Sequence, residues 1–147
     1  QARTRLTLLG QRSLQEFPNA VMLSRSRFLA PAEQSVRFYR EYFDPQQEIE
    51  VHKERRRWRI LYKETDFAVN LDRVVQPSFS GYFLEIKSRT WSRTDAERKA
   101  ELISELLALM GVEPEQVLRQ EYADLAQERL DTPAQRVEQG AATPDAD

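Results

Sequence analysis

The chain has 147 residues, 40% of them hydrophobic and 31% charged, with no cysteine and a formal net charge of -2. That is enough chain for one domain with a single core, and it excludes a disulfide framework, a thiolate metal site and a cysteine nucleophile. No run approaches the roughly 20 apolar residues that a membrane-spanning helix requires, and no signal peptide is visible, so a reducing cytoplasm is the expected compartment.

Charge is unevenly spread. Residues 1–63 hold 13 Lys/Arg against 7 Asp/Glu, whereas residues 64–147 hold 9 against 17, so the first part is the candidate anion binder. Only Lys53, Lys63, Lys87 and Lys99 are lysine. The planar fork of arginine suits phosphate and carboxylate, although a GC-rich coding sequence would produce the same bias.

In chain order, Arg3 to Leu9 and Ala20 to Leu29 mix apolar, β-branched and basic residues without a helical period and are expected as strands. In the second, Arg25 and Arg27 are two apart and so share a face. Pro31 is expected to open a short helix over Ala32 to Phe43, ended by Asp44-Pro45. Glu48 to Tyr62 (EIEVHKERRRWRILY) reads as a strand with Lys53, Arg55, Arg57 and Arg59 on one face and Glu54, Arg56, Trp58, Ile60 and Tyr62 on the other. Four cations on one side of one strand repel one another unless an anion or carboxylates sit among them.

Lys63 to Asp66 is expected as a tight hairpin turn. Phe67 to Val74 alternates, with Ala68, Asn70 and Asp72 opposite Phe67, Val69 and Leu71. After a turn-rich stretch from Gln76 to Gly81, Tyr82 to Trp91 is a further expected strand with Phe83, Glu85, Lys87 and Arg89 on one face. The period then changes to 3.6. Thr94 to Glu97 reads as a capping box, followed by a stripe of Ala96, Ala100, Ile103, Leu106, Leu107 and Met110 that Gly111 ends. Pro114 is expected to open a second helix that buries Val117, Leu118, Tyr122 and Leu125, and residues 131–147 a disordered tail.

The expected fold class is therefore α+β, an antiparallel β-sheet or partial β-barrel (a tunnel) with one helix between strands and two C-terminal helices. Gripping a tri- or polyphosphate takes several converging cations, with carboxylates to hold a bridging divalent metal. The candidate phosphate-binding residues are Arg25, Arg27, Lys53, Arg55, Arg57 and Lys87, joined less directly by Arg59; the candidate metal ligands are Asp72 and Glu85.

The order Lys53-x-Arg55, FAVNLDRV with Asp72, GYFLEI with Glu85, a capped helix and a helix ending in Tyr122-Ala-Asp-Leu125 resembles the C-terminal half of the CYTH or triphosphate tunnel family over residues 48–126. That family includes class IV adenylyl cyclases, thiamine triphosphatases and inorganic triphosphatases. The resemblance implies an antiparallel β-tunnel that binds a triphosphate-bearing small molecule or inorganic polyphosphate, uses Mg²⁺ or Mn²⁺, and hydrolyses or cyclises its substrate. It also implies that residues 1–130 form a CYTH-like domain lacking its N-terminal strands. Gln1 in place of Met accords with a piece cut from something longer, with an upstream domain of the same polypeptide as a further partner. The family's Glu-x-Glu-x-Lys hallmark does not occur: in Glu48-Ile-Glu50-Val-His-Lys53 the lysine comes one residue late, and the family's later Glu-x-Glu reads Glu85-Ile-Lys87.

Lys87 in place of a carboxylate favours a second reading, a non-catalytic polyphosphate- or nucleotide-sensing module attached to another enzyme. A third is a single-stranded nucleic-acid-binding β domain using ERRRWRILY, against which the acidic second half argues by repelling a long polyanion. His52 is the only histidine, which gives little support to a histidine metal cluster or a Ser-His-Asp triad, and it is read as structural. Trp58 and Trp91 are read as core or rim packing residues, with base stacking as the sharper alternative, and Ser88, Thr90 and Ser92 beside Arg89 as strand-ending and capping residues that could also donate to phosphate.

Overall fold

A computed structural model describes residues 4–131. The elements are β1 (Arg5–Phe17), β2 (Ala20–Pro31), α1 (Val36–Phe43), β3 (His52–Tyr62), β4 (Thr65–Gln76), β5 (Phe83–Lys87), α2 (Arg93–Leu109), a 3₁₀ turn at Pro114–Gln116 and α3 (Tyr122–Asp131). They form an α+β fold with two antiparallel sheets, β1-β2 and β3-β4-β5. The expected tunnel is not closed: the sheets stay separate among the described residues, because alternation within a strand sets its two faces and not what lies beyond its edge. The expected tail lies almost entirely outside the described residues, as does Arg3.

Several boundaries move for local reasons. The first strand runs on to Phe17, past a bulge in which Gly10 and Gln11 face a single residue of β2; a Cβ on Gly10 would collide with Ser26 Oγ. Pro31 ends β2 instead of opening a helix. The helix begins at Val36 because Ser35 Oγ accepts the Phe38 N–H at 3.2 Å, and it ends where Asp44 turns left-handed at φ 43°. Lys63 and Glu64 alone make the β3–β4 turn, both at positive φ, as a type I′ two-residue loop requires.

The fifth strand stops at Lys87, short of Trp91, where α2 is already being capped. The cap is Ser92 and not Thr94: Ser92 Oγ accepts the Asp95 N–H at 3.1 Å, which places Thr94 within the first turn. Gly111, at φ 73°, lets the chain leave α2, and the Val112 N–H returns to the Leu107 carbonyl at 2.9 Å. Beyond it Pro114 opens only one 3₁₀ turn, since Val117 is already extended. The second C-terminal helix starts at Tyr122, its entry fixed by the Asp124 carboxylate accepting the Glu121 N–H at 3.0 Å.

The core lies between α2 and one face of the three-stranded sheet. Phe67, Leu102 and Leu106 are buried together, with Ile60, Tyr62, Ile86 and Ile103 around them. In β4 every second side chain faces α2, and the alternate row, Asp66, Ala68, Asn70, Asp72 and Val74, faces the other way. No helix among the described residues is long and apolar enough to cross a membrane.

Candidate functional site

The register of the three strands assembles that second face. Arg55 stands opposite Asp72, which stands opposite Phe83; Arg57 faces Asn70 and then Glu85; Arg59 faces Ala68 and then Lys87. Lys53 lies beside Val74 at the end of the row. Of the anticipated residues, Lys53, Arg55, Arg57, Lys87, Asp72 and Glu85 therefore share one surface, as the alternation of their strands implies.

Arg25 and Arg27 do not join it, because they lie on β2 in the other sheet. Arg25 reaches Glu121 at 3.5 Å, while Arg12, its cross-strand neighbour, approaches Asp124 at 3.8 Å. These contacts tie the hairpin to the start of α3. Arg27 makes no ion pair among the described residues.

Asp72 is the centre of the face and is fully buried. Arg55 grips it in a fork, Nε to Oδ1 at 2.6 Å and Nη2 to Oδ2 at 2.5 Å. The Tyr122 hydroxyl donates to Oδ2 at 2.7 Å, and Lys53 Nζ is 3.4 Å from the same oxygen. Burial pushes the Asp72 carboxyl up, but the hydrogen bonds from Arg55 and Tyr122 and the nearby charges outweigh it and hold the group well below the usual carboxylate range. Tyr122 is pushed the other way, by burial and then by its bond to Asp72. Its ring meets Phe83 edge-on at 5.4 Å, with Lys53 Nζ over its face at 4.3 Å.

Glu85 is bound in the same manner. It accepts from Arg55 at 3.1 Å and from Asn70 Nδ2 at 2.8 Å, and Lys87 Nζ lies 2.6 Å from its other oxygen. Burial raises its carboxyl and the bonds from Lys87 and Asn70 lower it, with a net shift downward. Asn70 completes the ladder by accepting Arg57 Nε at 3.0 Å. Asn70 and Tyr122 are the two members of this network that were not among the expected site residues. Asn70 had a signal, since it lies on the same alternating row as Asp72; Tyr122 comes from another element 50 residues away.

Asp72 and Glu85 were expected to hold a divalent metal. Their oxygens instead accept from Arg55, Lys53, Tyr122, Asn70 and Lys87, and among the described residues no three His, Cys, Asp or Glu gather as a metal cluster. As arranged, this donor set does not fit a resident Mg²⁺ or Mn²⁺, which favours more oxygen ligands and fewer competing cations.

The face divides into two ends. At the Asp72 end the cations are matched and Tyr122 of α3 lies over them. At the other end Arg59 and Lys87 flank the small side chain of Ala68, Arg57 is bonded only to the neutral Asn70, and Arg59 makes no ion pair among the described residues. Asp66 stands at the margin of this end, where its backbone carbonyl accepts from Ser88 Oγ at 2.9 Å. Comparison with protein-family models, with curated proteins and with solved structures finds no match to this chain.

Proposed function

We infer that the chain binds a phosphate-rich anion, a triphosphate-bearing small molecule or inorganic polyphosphate, on the open end of the polar face of β3, β4 and β5. The observation that carries this reading is the unmatched charge of Arg57 and Arg59, which have no carboxylate partner among the described residues; Lys87, itself paired with Glu85, stands across Ala68 from Arg59. Neighbouring strands lie about 4.8 Å apart, so cations on the two outer strands can converge on an anion seated over the central one. With its Nε on Asn70, Arg57 still has both terminal nitrogens for an oxyanion. An anion in this position would also relieve the repulsion between Arg57 and Arg59 along β3.

The resemblance to the CYTH family supports the same ligand class and adds hydrolysis or nucleotide cyclisation. For this chain we assign binding without a metal-dependent step, because Asp72 and Glu85 spend their oxygens on fixed cations. That favours the sensing-module reading over the enzyme. Lys87 is central to it, since it both neutralises Glu85 and adds a cation to the open end.

Isothermal titration with tripolyphosphate tests the assignment. The expected result is binding that a chelator leaves unchanged, without phosphate release, and a loss of roughly tenfold or more for Arg57→Ala and for Arg59→Ala, the scale of one charge-assisted hydrogen bond. Unchanged affinity in the Arg57→Ala/Arg59→Ala double variant would remove the site from this face. Chelator-sensitive phosphate release that Glu85→Ala abolishes would restore the enzyme reading.

A further inference from the structure

The outer half of the β1–β2 hairpin is exposed on both faces. Leu8 and its cross-strand partner Phe28 are 43% and 63% exposed, and on the opposite face Leu9 and Leu29 are 49% and 57% exposed. A lone two-stranded hairpin is marginally stable in water, and its outer edges present unpaired backbone N–H and C=O groups.

Four strands lie at sheet edges: β1, β2, β3 and β5. Three carry the features that discourage a strand from adding to them. The third strand bears the cation row Lys53, Arg55, Arg57 and Arg59, and β5 is five residues long. An antiparallel pairing of β2 with another β2 about Ser26 would set Arg25 against Arg27. The first strand is 13 residues long, and what blunts its edge is the bulge, which discourages a regular strand but is matched by a second copy that carries the same bulge.

The bulge gives β1 an internal symmetry. Arg5, Thr7 and Leu9 lie opposite Pro31, Leu29 and Arg27, while Arg12, Leu14 and Glu16 lie opposite Arg25, Leu23 and Val21. These β2 partners are all two apart, so all six β1 residues share one face. In a regular strand, residues 12, 14 and 16 would lie on the reverse side. A two-fold axis through the Gly10–Gln11 bond therefore matches β1 to a second β1 face for face. Arg5 meets Glu16 of the second copy, Thr7 meets Leu14 and Leu9 meets Arg12, each contact occurring twice. Arg5 makes no ion pair among the described residues, and the Glu16 side chain is 68% exposed with only a 3.4 Å approach from Arg119.

We propose that the chain pairs with a second copy of itself along the free edge of β1, forming a symmetric dimer with a continuous four-stranded sheet in the order β2-β1-β1-β2. The pairing satisfies the open edge, covers part of Leu8, Leu9 and Leu14, and uses the bulge as its centre. It is independent of anion binding, which involves the other sheet.

Sedimentation velocity across a concentration series tests it on the 147-residue chain. The expected result is a monomer–dimer equilibrium in which Arg5→Glu weakens dimerisation by roughly tenfold or more, since two favourable cross-strand pairs become two repulsive ones. The double variant Arg5→Glu/Glu16→Arg recovers the dimer, with circular dichroism checking that the fold is unchanged. A chain that stays monomeric at its highest soluble concentration would overturn the proposal. So would a dimer indifferent to Arg5→Glu, a double variant as weak as the single one, or assemblies larger than two.

Discussion

Strands β1 and β4 differ by one residue in length and both mix apolar with polar side chains, yet they end in opposite environments. The central strand β4 has β3 and β5 on its edges and α2 across one face; Phe67 is 1% exposed and even its charged residue Asp72 is fully buried. On β1 no large apolar side chain is fully buried, and Leu8, Leu9 and Leu14 are all more than 40% exposed. Hydrophobic content alone does not make a core. Position in the sheet decides whether an apolar residue finds something to press against, and whether a polar one must be supplied with partners.

The sharpest way to break this contrast is to truncate one phenylalanine in each region. Phe67→Ala is expected to cost about 3–5 kcal/mol, the range for a large side chain removed from a packed core, whereas Phe28→Ala should cost under about 1 kcal/mol because that ring is largely in water already. Urea denaturation of the two variants measures both, and equal losses would show that the hairpin is as deeply packed as the sheet.

Next in size is the arginine ladder. Removing one partner of a buried ion pair costs up to about 3–5 kcal/mol. Arg55→Ala should approach the lower end of that range, because Lys53 and Tyr122 still face Asp72. Arg57→Ala, which gives up only its bond to Asn70, should cost about 1 kcal/mol and lose affinity for anion instead. Thermal denaturation beside tripolyphosphate titration separates the two residues; a stability loss at Arg57 equal to that at Arg55 would make the whole row structural.

A smaller effect follows from pH. Asp72 and Glu85 both titrate below their ordinary range when folded. The stability from their ion pairs is therefore complete above the unfolded carboxylate values of about 4 and is lost as pH falls through the lower folded values. The melting temperature should be nearly level from about pH 5 to 7 as far as these groups are concerned and fall below about pH 4, with Asp72→Asn showing a shallower decline. The smallest expected change is at the α2 cap, where Ser92→Ala should cost about 1 kcal/mol and Thr94→Ala less, since only Ser92 accepts the Asp95 N–H.

Much of the face was legible in the sequence because side-chain alternation has a period of two. Once Lys63-Glu64 is a two-residue turn, Arg55 must meet Asp72 and Arg57 must meet Asn70, and the next pairing brings in Glu85 and Lys87. What the alternation could not convey was sheet closure, which depends on edges. Nor could it locate Tyr122, whose hydroxyl reaches Asp72 from a separate helix. The helix starts at Val36 and Arg93 were missed for a different reason: Pro31 and Thr94 are plausible starters in isolation, and the choice rests on which hydroxyl reaches a free N–H.

The bond between Tyr122 and Asp72 also bears on the order in which the molecule forms. Arg55 and Asp72 are 17 residues apart and brought together by a two-residue turn, whereas Tyr122 must close a separation of 50 residues before it gains its one hydrogen bond and ring contacts. Loop-closure entropy grows with that separation, so the ladder can assemble while α3 is still unattached. The C-terminal helix is then expected to detach more readily than the ladder opens. Its amide hydrogens should exchange with solvent through a local detachment that leaves those of β4 protected until the whole sheet opens.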